Sequence, residues 1–107
     1  MAKVWIRQAI SLAIERELAA DPNVIVMGED IAAAGGVFKA TAGLMEKFGP
    51  ERVRDTPISE TGFLGAAVGA AMSRLRPVVE IMFMDFLGAA FDQLVTQAAK
   101  VRFLSAG

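Results

Sequence analysis

Three short strand-like runs, separated by stretches of helical period, constrain this chain more than any other feature. Val24-Ile25-Val26-Met27 is uncharged, mostly β-branched and ends at Gly28. A strand of that kind, with no polar alternation, suits burial on both faces in a parallel sheet. Val53-Arg54-Asp55 is a second short strand, and Val78 to Phe83 a third. Before the first, Ile6, Ala9, Ile10, Ala13, Ile14 and Leu18 recur at three- and four-residue steps, one stripe of an amphipathic helix. Asp21-Pro22-Asn23 stops it, because proline cannot continue a helix and disfavours one in the residue before.

The other segments follow the same alternation. Glu29 to Val37 reads as a loop with Gly35-Gly36 as its flexible point. Thr41 is positioned to cap a short helix through Phe48, which Gly49-Pro50 ends. Thr56-Pro57-Ile58-Ser59 turns the chain, and Ser59 is an N-cap for a helix running to about Arg74. Arg76-Pro77 marks the next turn, and from Gly88 the pattern is helical again, with Phe91, Leu94, Val95, Ala98, Val101 and Arg102 on successive turns. Strands alternating with helices predict an α/β fold: a parallel sheet between two helical layers, αβα. Three strands are few for that architecture, so the chain reads as incomplete, or as a piece that needs a partner.

Composition narrows the chemistry. Hydrophobic residues make up 54% of the 107, which points to apolar surface reserved for a partner, or simply to an Ala-rich domain. Eleven Lys and Arg against 12 Asp and Glu, with no basic run, leave no footprint for nucleic acid. There is no cysteine and no histidine, so disulfides, thiolate chemistry and the usual neutral-pH base are all excluded. The apolar stretch Ala9–Ile14 is too short for a signal peptide, and Thr61–Ser73 falls short of the ~20 residues of a membrane span. A soluble, cytoplasmic protein is expected.

Gly62, Gly65, Ala66, Gly69 and Ala70 set small residues at three- and four-residue spacing in the helix after Ser59. Each helical glycine costs roughly 1 kcal/mol against alanine, so the face needs a packing reason: the chain's own sheet, another subunit or a ligand. Glu60 opens that helix, where an acid is favoured by the macrodipole alone. Glu29, Asp55–Glu60 and Phe83–Phe86 each follow an expected strand. Parallel α/β sheets bind ligands outside the carboxyl ends of their strands, so these segments form one constellation.

At these residues a resemblance becomes specific. Asp55-Thr56-Pro57-Ile58-Ser59-Glu60-Thr61-Gly62-Phe63 and Gly65-Ala66-Ala67-Val68-Gly69-Ala70-Ala71 resemble the signature of 2-oxo acid dehydrogenase E1 component β subunits. Leu75-Arg76-Pro77-Val78-Val79-Glu80, Phe91-Asp92-Gln93-Leu94 and Gln97-Ala98-Ala99-Lys100 continue it. Met27-Gly28-Glu29-Asp30 and Lys47-Phe48-Gly49-Pro50-Glu51-Arg52-Val53 match as well. The match covers essentially the whole chain in order. The Thr-Pro-Ile-Ser-Glu run and the Phe-Asp-Gln helix are nearer to E1 β subunits than to transketolases proper. Ile81-Met82-Phe83-Met84-Asp85-Phe86 is slightly nearer to acetoin and branched-chain types than to pyruvate types.

The resemblance implies the N-terminal part of a transketolase-like pyrimidine-binding domain over residues 1–107, with the family's C-terminal remainder absent. It implies thiamine diphosphate as cofactor, with Glu60 hydrogen-bonded to pyrimidine N1′ so that the 4′-imino nitrogen can remove the thiazolium C2 proton. Phe86 corresponds to an aromatic residue packed on the pyrimidine, with Phe83 as the nearby competitor. Ile58 corresponds to an apolar backbone contact. Glu29 corresponds to an acid that faces the cofactor and joins a proton path between paired sites. The Gly-Asp-Gly…Asn motif that holds Mg²⁺ and diphosphate does not occur here, which assigns both to a partner α subunit. The implied partners are that E1 α subunit, a second β subunit and a lipoyl-bearing E2, acting on a 2-oxo acid or acetoin. The chain alone is expected to be inactive; the alternative is a truncated, non-catalytic association module.

Overall fold

The stripe from Ile6 forms α1 (Ile6–Ala20), the opening element of a computed structural model that describes residues 3–107. The three strand-like runs form β1 (Val24–Gly28), β2 (Val53–Asp55) and β3 (Arg76–Glu80). Strand order is β2-β1-β3 and both pairings are parallel, so the carboxyl ends share one edge of the sheet. Side chains alternate across it. Val24, Val26 and Val53 pack with Leu18 of α1 and Leu44 of α2 (Leu44–Phe48), with Val78 against them. On the opposite face, Pro77 and Val79 meet α3 (Glu60–Met72) and the last helical segment. The expected αβα arrangement with a parallel sheet is the one found.

That last segment runs without a break from a 3₁₀ turn, Met84–Phe86, through α4 (Leu87–Asp92) and a π-helical stretch, Gln93–Ala98, into α5 (Ala99–Leu104). Gly28 lets the sheet close. A Cβ there would lie 2.9 Å from the Glu80 carbonyl oxygen, so only glycine admits β3 at this separation.

Several expected boundaries move, each for a local reason. Thr41 does not cap a helix: its hydroxyl donates to the Ile31 carbonyl at 2.7 Å, and α2 begins at Leu44 after Gly43. Gly35 and Gly36 are not a loose point, because both are buried and take positive φ, with Gly36 N–H bonded to Asp30 O. Arg76-Pro77 is strand rather than turn. Arg76 N–H bonds Asn23 O, so the next residue's missing N–H faces away from β1. β3 ends at Glu80, opposite the end of β1, not at Phe83. Helix α3 ends at Met72 in a Schellman motif, with Leu75 N–H on Ala70 O, Arg74 N–H on Ala71 O, and Arg74 in the left-handed region.

Much apolar surface stays uncovered. The N-terminal half of α1 stands off the body, with Ile6 80% exposed, and Phe91, Phe103 and Leu104 are exposed at the other end. The accessible area is 7149 Å², against about 5,800 Å² for a compact protein of this mass. The radius of gyration is 14.4 Å, against about 13 Å for a compact chain of this length. Among the described residues no helix is long and apolar enough to cross a membrane.

One side chain ties α1 to the sheet. Arg52 donates from Nε to Val24 O at 2.8 Å and from one terminal nitrogen to Leu18 O at 2.9 Å and Asp21 O at 2.7 Å. A cation on the last carbonyls of α1 also suits the helix dipole. Arg52→Ala should lower stability by about 2–3 kcal/mol, the scale of losing charge-assisted bonds to half-buried carbonyls. Arg52→Lys should recover less than half of that, because an ammonium lacks the planar fork. Urea unfolding of the three proteins measures both effects.

Candidate functional site

The carboxyl edge of the sheet gathers the candidate side chains because β1, β2 and β3 all release the chain there. Glu29 leaves β1, and Glu60 opens α3 four residues beyond the Thr56 N–H that caps the β1–β2 ladder on Gly28 O at 2.9 Å. Asp30, in the left-handed region at φ +54°, bends the chain directly after Glu29. Asp tolerates that conformation better than most residues.

The fold brings Glu29 and Glu60 together. Glu29 is only 7% exposed, and its Oε1 has no hydrogen-bond partner. Burial pushes the Glu29 carboxyl above its ordinary range, and the neighbouring Glu60 carboxylate adds to this through like charge and side-chain contact. Asp30 pushes the same way, while the Ser59 backbone N–H favours the charged form. The outcome is a carboxyl group disposed to keep its proton beside half-buried Glu60 at a helix N-terminus.

The aromatic candidates form a separate group after β3. Phe83 and Phe86 meet edge to face with ring centroids 5.5 Å apart, and Phe38 meets Phe83 in the same way at 5.5 Å. All three rings are partly open to solvent. Ile58 projects from the turn at 86% exposure. Thr61 donates its hydroxyl to Ala89 O, which ties the start of α3 to α4. Ser59 is the N-cap of α3 as expected, but by position only, since its side chain makes no capping bond.

Other features at this edge escape a reading of the sequence alone. Phe38 lies in a glycine-bearing loop with no periodicity to flag it. Asp55 accepts the Ala32 N–H at 2.8 Å, a bond across 23 residues that no local pattern signals. Thr56 Oγ1 is buried without a partner, and Thr56 lines a cavity of about 340 Å³ with Met27, Pro57, Ser59, Gly62 and Phe63. Glu80, at the end of β3, also has its carboxyl pushed up by burial.

The two raised carboxyls fix the sign of one pH effect. A group whose folded pKa lies above its unfolded value binds more protons when folded, so stability falls as pH rises from the ordinary carboxyl value through the folded one. Glu29 and Glu80 therefore both give stability that declines with rising pH in that window. Glu29→Gln, which cannot ionise, should flatten the part of the decline that Glu29 contributes and make the chain more stable relative to wild type as pH rises through that window. Denaturant midpoints measured from pH 4 to 8 check it.

Comparison with known proteins agrees with the fold. Residues 2–105 match the family described as transketolase, pyrimidine binding domain. The chain is 51% identical over 105 residues to the pyruvate dehydrogenase E1 component subunit beta-1, mitochondrial, of Arabidopsis thaliana, covering 98% of this chain and 29% of that protein. It is 50% identical over 97 residues to the 2-oxoisovalerate dehydrogenase subunit beta of Bacillus subtilis, covering 91% of this chain and 30% of that protein. Against the pyruvate dehydrogenase E1 component subunit beta of Rickettsia felis it is 49% identical over 105 residues, 98% of this chain and 32% of that protein. The chain thus spans about three-tenths of the length of these relatives. Pyruvate and 2-oxoisovalerate relatives lie at the same distance, so identity does not favour either substrate type. The relatives it resembles are β subunits of 2-oxo acid dehydrogenases, and the chain itself belongs to the transketolase pyrimidine-binding-domain family.

Proposed function

We propose that this chain is the N-terminal part of a pyrimidine-binding domain that holds and activates the aminopyrimidine of thiamine diphosphate in a 2-oxo acid dehydrogenase E1. The observation that carries the reading is the carboxyl pair: Glu29, buried and disposed to keep a proton, beside Glu60 at the start of α3. The side chains present fit a flat, hydrogen-bonding heterocycle. A half-buried carboxyl stands at the carboxyl edge of a parallel sheet, and partly open aromatic rings stand at the same edge.

When bound, the cofactor supplies its own base, the 4′-amino group, for the thiazolium C2 proton. That suits a chain without histidine. Glu60 exchanges a proton with N1′. Glu29 supports it by holding a proton of its own, so that two carboxylates need not be charged side by side. Phe86 would pack on the ring with Phe83 beside it, and Ile58 would supply a backbone contact to it. Mg²⁺ and the diphosphate belong to a partner E1 α subunit. A second β subunit and a lipoyl-bearing E2 complete the assembly, and the substrate is a 2-oxo acid or acetoin. The cytoplasm is the compartment we assign.

The uncovered apolar surface favours one other reading, a non-catalytic association module. Glu60 separates the two. In the full-length subunit with its α partner, Glu60→Ala should lower kcat for 2-oxo acid oxidation at least ~100-fold, the lower end of what a positioned acid or base contributes. Near-normal turnover of that variant would overturn the assignment. Phe86→Ala should weaken cofactor binding about 3- to 10-fold, the worth of aromatic packing. Titration of the cofactor against the apoenzyme, followed by fluorescence quenching, gives that number.

A further inference from the structure

The β1–β2 ladder ends at the pair Gly28 and Asp55, with the Thr56 N–H on Gly28 O as its last rung. Beyond that rung the two chains separate, Glu29 onto one and Glu60 onto the other. One bond bridges them again: Asp55 Oδ1 accepts the Ala32 N–H at 2.8 Å, in a part-buried setting. The residues between are closed from the other side. Ile31 is fully buried and its carbonyl accepts the Thr41 hydroxyl, and Asp30 O accepts the Gly36 N–H. The segment Gly28–Ala32 is therefore a short arch, pinned at both feet, with Glu29 directed inward from it.

The arch works against a force. Glu29 faces Glu60 and immediately precedes a backbone bend at Asp30, and both acidic neighbours disfavour a further charge there. An unpinned arch would let Glu29 swing toward water, where its carboxylate is better solvated. We propose that Asp55 is a positioning residue: by accepting the Ala32 N–H, it pins the arch that holds Glu29 against Glu60. Asp55 does this as an acceptor and not as a charge, acting through the Ala32 N–H and the arch rather than on the site directly. Its value to catalysis rests on the function proposed above, whereas its effect on Glu29 does not.

The test uses the full chain without cofactor, with ¹³C-carboxyl NMR titration of Glu29 and amide exchange at Ala32 as readouts. Glu60 and Asp30 are the charged groups facing Glu29, and both are retained in every variant. Asp55→Ala should move the Glu29 midpoint down toward an ordinary glutamate and speed exchange at Ala32 about tenfold or more, as expected for an opened local bond. Asp55→Asn keeps a carbonyl acceptor in the same place and should leave both readouts at their original values. Asp55→Val, β-branched and suited to a strand end, is the second acceptor-free variant should alanine unfold the chain, and it should behave as alanine does. The proposal is overturned if the acceptor-free variants leave the Glu29 midpoint unchanged. It is equally overturned if Asp55→Asn shifts that midpoint as far as they do. If Glu60→Ala retained turnover in the assembled enzyme, the proposed function would fail while this titration result stood.

Discussion

Every feature of the candidate site depends on β1 lying in the middle of the sheet with parallel neighbours on both sides. A central strand has no free edge, so its end is defined by its partners: Asp55 closes one ladder at Gly28 and Glu80 closes the other. Gly28 makes this possible by letting the β3 backbone come to a distance that a methyl group would forbid. Three chain segments then leave the sheet at one height. The acids after β1 and β2 meet because their strands are adjacent, and the segment that bears the aromatic residues leaves β3, the neighbour of β1 on its other side. No long-range recognition between these side chains is needed to gather them.

The alternation of strand and helix was legible because it is written in periodicity. Val24–Met27 could hardly be anything but a buried strand, and it is one. Boundaries were less legible because side-chain bonds set them. Thr41 has the chemistry of a cap and spends its hydroxyl on Ile31 instead. Pro77 has the chemistry of a turn and sits in β3, where the register leaves its nitrogen unneeded. The π-helical stretch Gln93–Ala98 leaves no trace in a pattern built on 3.6 residues. As for the site, Glu60 alone reads as a helix-opening acid. Its pairing with Glu29 lies across 31 residues and is a property of strand order, which single-sequence periodicity does not encode. The family resemblance supplied what the pattern could not.

The carboxyl pair works against stability. A buried acid with an unpartnered oxygen, next to a second acid, is the kind of arrangement a fold selected for stability alone would replace with a hydrophobic residue. Strained or unsatisfied groups concentrate at functional sites, where their cost is offset by packing elsewhere. Here the offset is visible beneath the site. Ile31 is wholly buried under the arch, and Leu18, Val26, Leu44 and Val53 pack next to it. The sheet face that carries α1 and α2 is the best-filled part of the chain, and it lies directly behind Glu29.

The opposite face is built differently. Helix α3 carries three glycines, each tolerated for a different reason. Gly65 has the Gln93 side chain 3.0 Å from where its Cβ would be, so the π-helical stretch has come close enough to need it. Gly62 faces its own capping residue, Ser59, at 2.6 Å. Gly69 meets nothing within 4 Å. A glycine without a neighbour costs its helix roughly 1 kcal/mol and gains nothing from the chain itself. Two of the three are thus explained by internal packing, and the third stands on the side where Met72 is open to solvent. The excess of accessible surface over that of a compact chain has the same character, apolar and helical, at both ends of the molecule. One and the same argument applies to the site and to this surface. Glu29 is an internal expense that packing behind it offsets, whereas Gly69 and the exposed apolar residues are expenses that nothing within the chain offsets. That asymmetry sets the two sheet faces apart: one is filled by the chain's own side chains, and the other keeps small residues and open apolar side chains on its helices.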